Sequence, residues 1–145
     1  MLAGLDDFSE SFARALFEAL PEARKAASVE EGHLHVELNS GPSRTDSTIH
    51  VYTTEDDEVI VDFGYYGDHF DWPPAGPATL DDPIAFIRAL MADEILVAER
   101  MRGRSCLGSA LVASGLKGFE PPRTPDEIVF LRSWSGHKDR TVRHG

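Results

Sequence analysis

His33, His35 and Glu37 stand at alternate positions of the run His33-Leu34-His35-Val36-Glu37-Leu38. Extended backbone sends alternate side chains to the same side, and an H-x-H-x-E row can place two imidazoles and a carboxylate around zinc or another divalent ion. The same spacing also describes the wet face of any half-buried strand. His50 falls in a neighbouring alternating run and joins the row if it faces the same way. A second concentration of chemistry lies at Tyr65, Tyr66, Asp68, His69, Phe70, Asp71 and Trp72. Tyrosine and tryptophan bury large areas at small entropic cost and dominate protein interfaces, which makes this stretch a candidate contact surface. The competing structural expectation is that Phe70 and Trp72 plug the open end of a sheet. Asp68, His69 and Asp71 could also hold a metal or act as an acid–base pair, because a carboxylate beside an imidazole orients it and favours its charged form.

Other motifs are weaker. Gly103-Arg104-Ser105-Cys106-Leu107-Gly108 approaches the Gly-x-Ser-x-Gly nucleophile elbow, but its second glycine is one residue late and the expected setting is not strand–turn–helix. Cys106 is the only cysteine, which excludes an intrachain disulfide framework; a buried, inert thiol and a reducing, cytoplasmic setting are expected. No apolar run approaches a membrane span, and no spacing of a Walker, Rossmann, EF-hand or zinc-ribbon motif occurs. No cofactor is implied.

Charge is partitioned along the chain. Residues 1–99 carry 21 Asp and Glu against 5 Lys and Arg, and residues 100–145 carry 4 against 9, within a net charge of −11. An acidic body disfavours nucleic acid and anionic membranes as partners and favours a basic protein. Arg100, Arg102, Arg104 and the tail around Trp134 could gather to hold a phosphate or an RNA strand. The favoured expectation is that these arginines pair internally with carboxylates of the first 99 residues.

The elements that would position these groups follow from periodicity. Phe8, Phe12, Leu16 and Leu20 predict an amphipathic helix beginning after Asp6 or Asp7, with Pro21 ending it or opening a short turn to Ala27. Leu34, Val36 and Leu38, then Ile49 and Val51, then Val59, Val61 and Phe63 predict three antiparallel strands. A turn is expected at Asn39–Ser43, and the acidic run Glu55, Asp56, Asp57, Glu58 links the second and third strands. Gly64 to Pro83 holds three glycines and four prolines and reads as one long loop. Asp81 or Asp82 should cap a second helix bearing Ile84, Ile87, Leu90 and Met91, and a hairpin near Gly103 and a central strand Ile128–Ser135 complete the chain. A chain of 145 residues forms one domain. The expected class is α+β, order α-β-β-β-α-β-β-β, an antiparallel sheet of about six strands with two helices on one face.

Phe63-Gly64-Tyr65-Tyr66-Gly67-Asp68-His69-Phe70-Asp71-Trp72 and Arg132-Ser133-Trp134-Ser135-Gly136 resemble segments of small bacterial α+β immunity proteins of polymorphic toxin systems. The resemblance touches about a fifth of the chain. It implies a non-enzymatic cytoplasmic inhibitor that masks a basic toxin domain with an acidic face. The expected contact residues are then Glu55, Asp56, Asp57, Glu58, Tyr65, Tyr66, Asp68, His69, Asp71 and Trp72. Two alternatives stay open: a small metal-dependent or acid–base enzyme built on His33, His35, His50, His69 and Asp71, and a homodimer joined through the aromatic surface.

Overall fold

The computed structural model describes residues 2–41, 47–75 and 81–145. Asp6 caps helix α1 (Asp7–Ala19) by accepting the Ser9 N–H at 2.8 Å, and a 3-10 helix follows at Pro21–Ala26. Five strands then run β1 (Ala27–Glu30), β2 (His33–Leu38), β3 (Ile49–Thr53), β4 (Glu58–Phe63) and β5 (Tyr66–Asp71). They pair in that order as one antiparallel sheet. Helix α2 (Pro83–Met91) is capped by Asp82 through the Ile84 N–H at 2.9 Å. It leads to β6 (Ile95–Arg102), β7 (Ser105–Ala113), β8 (Glu127–Arg132) and β9 (Arg140–Arg143), a second antiparallel sheet of order β7-β6-β8-β9.

The α+β class and the antiparallel pairing are as expected, and both helix starts fall where the capping aspartates stand. The strand count differs: the described residues form nine strands in two sheets in place of about six in one. The stretch expected to be loop from Gly64 is the main correction. Gly64 and Tyr65 form a tight turn, and Tyr66–Asp71 returns along β4 from Phe63↔Tyr66 to Glu58↔Asp71. Residues 76–80 of that stretch, and residues 42 and 43 of the expected Asn39–Ser43 turn, lie outside the described residues.

Alternation gives the five-stranded sheet two unlike faces. Leu34, Val36, Ile49, Val51, Val59, Val61 and Phe63 point inward and are sealed by Phe12 and Leu16 of α1, Phe86, Ile87 and Leu90 of α2, and Ile95 and Val97 of β6. Each such large side chain removed from water contributes about 1.5–3 kcal/mol. The expected plug is partly real: Phe70 is buried against Phe86, and the half-buried Trp72 meets the edge of Phe12 at 5.3 Å. The opposite face of the four-stranded sheet buries Leu96, Val112, Val129 and Leu131.

A buried carboxylate joins the two sheets. Glu99 of β6 has no exposed surface; it accepts the Tyr65 N–H at 2.8 Å and the Arg132 Nε–H. Asp93 accepts the Ser135 N–H at 3.1 Å and the Ser135 hydroxyl, and Trp134 donates its indole N–H to Leu38 O at 3.0 Å. Trp134 is therefore committed to the junction. Arg100 pairs with Glu127 at 2.7 Å, and Arg102 with Asp126 at 3.0 Å and Glu127 at 3.4 Å. Internal pairing is thus observed for Arg100, Arg102 and Arg132; Arg132 takes its partner, Glu99, from the first 99 residues, whereas the partners of Arg100 and Arg102 lie beyond them. Cys106 is half-exposed on the β6–β7 hairpin, where the expectation was a buried thiol.

Two outcomes follow from these contacts. Gly64 has φ +59°, and a Cβ there would collide with Glu99 Oε2. Gly64→Ala is therefore expected to lower unfolding stability by about 1–3 kcal/mol in a denaturant titration. The hydrogen bond from Arg100, with that from the Arg123 N–H, holds the Glu127 carboxyl below the ordinary value of 4.5 and outweighs the upward push of its burial. A depressed folded value means stability present above 4.5 that is lost as pH falls through the lowered value. Glu127→Gln should flatten the stability–pH curve in that acid range.

Candidate functional site

The outer face of the five-stranded sheet gathers most of the residues singled out by type. Register places Ser28, His35, Tyr52, Ile60 and His69 in one row across the strands, and Glu37, His50, Asp62 and Gly67 in the next. Every one of these residues is exposed or half-buried, none buried. Glu30, His33, Glu58 and Asp71 continue the face. The 27 strand residues of this sheet contain six carboxylates, four histidines and no lysine or arginine, and all of these charged and histidine side chains except Asp68 belong to the outer face. The strands of the other sheet contain five arginines and two glutamates, so the strands of the two sheets carry opposite net charge.

His35, Glu37 and His50 converge. His35 Nε2 lies 3.4 Å from His50 Nδ1, and each of these nitrogens is 3.9 Å from Glu37 Oε1. The ring planes differ by 14° with centroids 5.7 Å apart. Because the nitrogen gap plus two ring radii accounts for that separation, the nitrogens point at each other and the rings do not lie face to face. Tyr52 sets its ring edge-on to His35 at 6.2 Å. Its hydroxyl donates to Asp62 at 3.1 Å, and burial first, then the Asp62 charge, push the phenol above its ordinary pKa. Gly67 stands opposite Asp62 because a Cβ there would strike the Asp62 carboxylate.

The remaining expected ligands do not join them. His33 Nδ1 is 3.3 Å from Asp6 Oδ2, within charge range but without hydrogen-bond geometry. Burial pushes the Asp6 carboxyl up, yet the Ser9 hydrogen bonds and His33 outweigh it and leave Asp6 below its usual value. His69 Nδ1 pairs with Glu58 at 2.8 Å, and Asp71 lies across from Glu58 at the far end of the β4–β5 hairpin. The five-residue enzyme set is therefore split among three places.

The expected contact residues also divide. Glu55, Asp56 and Asp57 are exposed on the β3–β4 turn, continuous with Glu58, His69 and Asp71. Tyr65, 59% exposed, projects from the other end of the hairpin. Tyr66 and Trp72 lean on the core, and Asp68 accepts the Tyr66 hydroxyl at 3.3 Å on the inner side of β5. Sequence reasoning missed Tyr52, Asp62 and Glu30 as members of the face. Their signal was the same alternation, read one strand further.

A groove of about 580 Å³ lies over the other sheet, between β6–β7 and residues 118–123. The arginine at its floor, Arg100, already binds Glu127, Pro121 O and Glu120 O, so the groove offers a committed cation. Comparison with protein-family models, curated proteins and solved structures finds no match. No helix among the described residues is long and apolar enough to cross a membrane. Asp62→Asn should bring the Tyr52 phenol back toward its ordinary titration range, read by ultraviolet absorbance against pH.

Proposed function

We propose that the chain is a non-enzymatic, acidic protein-binding module of the immunity-protein type, which masks a basic domain of a toxin with the outer face of its five-stranded sheet. One observation carries this reading. A two-sided sheet with its apolar side sealed leaves its other side to solvent, and that side holds carboxylates and histidines without a single lysine or arginine in its strands. Complementary potential of this type steers encounter and rejects like-charged partners. The exposed turn Glu55–Asp57 extends the negative field beyond the sheet, and Tyr65 supplies an aromatic anchor at the opposite end. The resemblance of the Phe63–Trp72 and Arg132–Gly136 stretches to immunity proteins supports the same class. Tyr66 and Trp72, being core-facing, support the face from beneath.

The test is a calorimetric titration against the toxin domain encoded beside this chain's gene. Binding should weaken as salt rises, and the double variant Glu58→Gln, Asp71→Asn should slow association. Tyr65→Ala should cost more than about 1 kcal/mol of binding, as an anchor does. Affinity indifferent to salt and to all three substitutions would remove this face from the interface; a neighbouring gene that encodes no toxin would remove the immunity assignment.

A further inference from the structure

We infer that His35, Glu37 and His50 form a binding site for a zinc-class divalent metal ion. The inference rests on the local geometry of β2 and β3 and is independent of the partner reading. Three donor atoms of borderline and hard character stand at mutual distances of 3.4, 3.9 and 3.9 Å. A point equidistant from such a triangle lies about 2.2 Å from each corner, beside the roughly 2.0–2.2 Å of zinc bonds to imidazole and carboxylate. The three side chains are grouped by register. Glu37 and His50 are cross-strand partners, and His35 is two residues before Glu37 on the same face.

Orientation adds a second argument. Two imidazole nitrogens that face each other across a narrow gap cannot both carry protons there; the gap holds one shared proton, or a cation set off the N–N line on the Glu37 side. Glu30 Oε1 lies 3.4 Å from His35 Nδ1. At that range the Glu30 charge favours a proton on Nδ1 and so leaves the Nε2 lone pair for the gap, as outer carboxylates do for metal-binding histidines. The edge contact from Tyr52 limits rotation of the same ring.

The chemistry of the donors selects the ion. Magnesium and calcium take oxygen cages, whereas two imidazoles and one carboxylate suit zinc and its neighbours. The side chains of His35, His50 and Glu37 are 23%, 41% and 52% exposed, so an ion reaches them directly from solvent. A depression of about 570 Å³, lined in part by Glu30, His33, His35 and Tyr52, borders the triad. Asp62, across from His50, adds negative charge, and the surrounding strands hold no competing lysine or arginine. Three protein ligands leave a fourth tetrahedral position open to water on the outward side.

The experiment is calorimetric titration of the untagged protein with zinc chloride, with magnesium chloride as the control, alongside thermal unfolding and visible spectra of the cobalt-loaded protein. One zinc per chain, a raised Tm and cobalt d–d bands are expected, with no magnesium heat. Glu37→Gln and His50→Ala should each abolish zinc binding at concentrations that saturate the parent, while Glu30→Gln should weaken it about tenfold. His33→Ala and His69→Ala should leave it unchanged. Circular dichroism confirms that the variants, all at exposed or half-buried positions, are folded. Absence of zinc heat in the parent protein, or binding that survives His50→Ala, or equal loss in His69→Ala, overturns the assignment.

Discussion

The carboxylate of Glu99 is the contact on which the arrangement of the two sheets turns. A carboxylate taken fully out of water costs several kcal/mol unless it is matched, and removing one partner of such a pair is strongly destabilising. Here the matching donors are the Arg132 guanidinium from β8 and the Tyr65 N–H from the β4–β5 turn. The turn is pinned to the second sheet, and Gly64 is the residue that allows it to pass so close. From that fixed turn follows the register of β5, and from the register follows which side chains of β5 look outward. The Phe63–Trp72 and Arg132–Gly136 stretches meet at this contact.

The parts of the fold that were legible in the sequence are those where one period dominates. Leu34, Val36 and Leu38 alternate with polar neighbours and form a strand; Phe12 and Leu16 recur at helical spacing and form a helix stripe. Strand β5 obeys the same alternation, with Tyr66, Asp68 and Phe70 inward and Gly67, His69 and Asp71 outward. Its signal was hidden because an aspartate stands on the inner side, a glycine on the outer, and prolines follow at once. Neither the division into two sheets nor the pairing of β6 with β8 could be read, since hydrophobic pattern fixes faces and leaves partners open.

The same distinction governs the site. The His33-x-His35-x-Glu37 row was visible from spacing alone, whereas the choice of His50 over His33 as its companion depends on the register of β2 against β3. Glu99 and Asp93 were invisible as structural residues because charged side chains belong outside unless matched, and the matching groups Arg132 and Ser135 lie 33 and 42 residues away in sequence. Aromatic density around Tyr65 misled in part for a related reason. Type and spacing alone do not separate a ring that faces solvent, as Tyr65 does, from rings that close a core, as Phe70 and Trp72 do.

The segregation of charge between the sheets has a consequence for how the molecule moves as well as for what it touches. With carboxylates gathered on the strands of one sheet and arginines on those of the other, the strand charges contribute an electric dipole directed between the two layers. In the field of a charged body it experiences torque while still several ångströms away, so its rotational diffusion is biased before any surface meets. Arrival is then orientationally selected, and the fraction of fruitless collisions falls without any change in the contacts finally made.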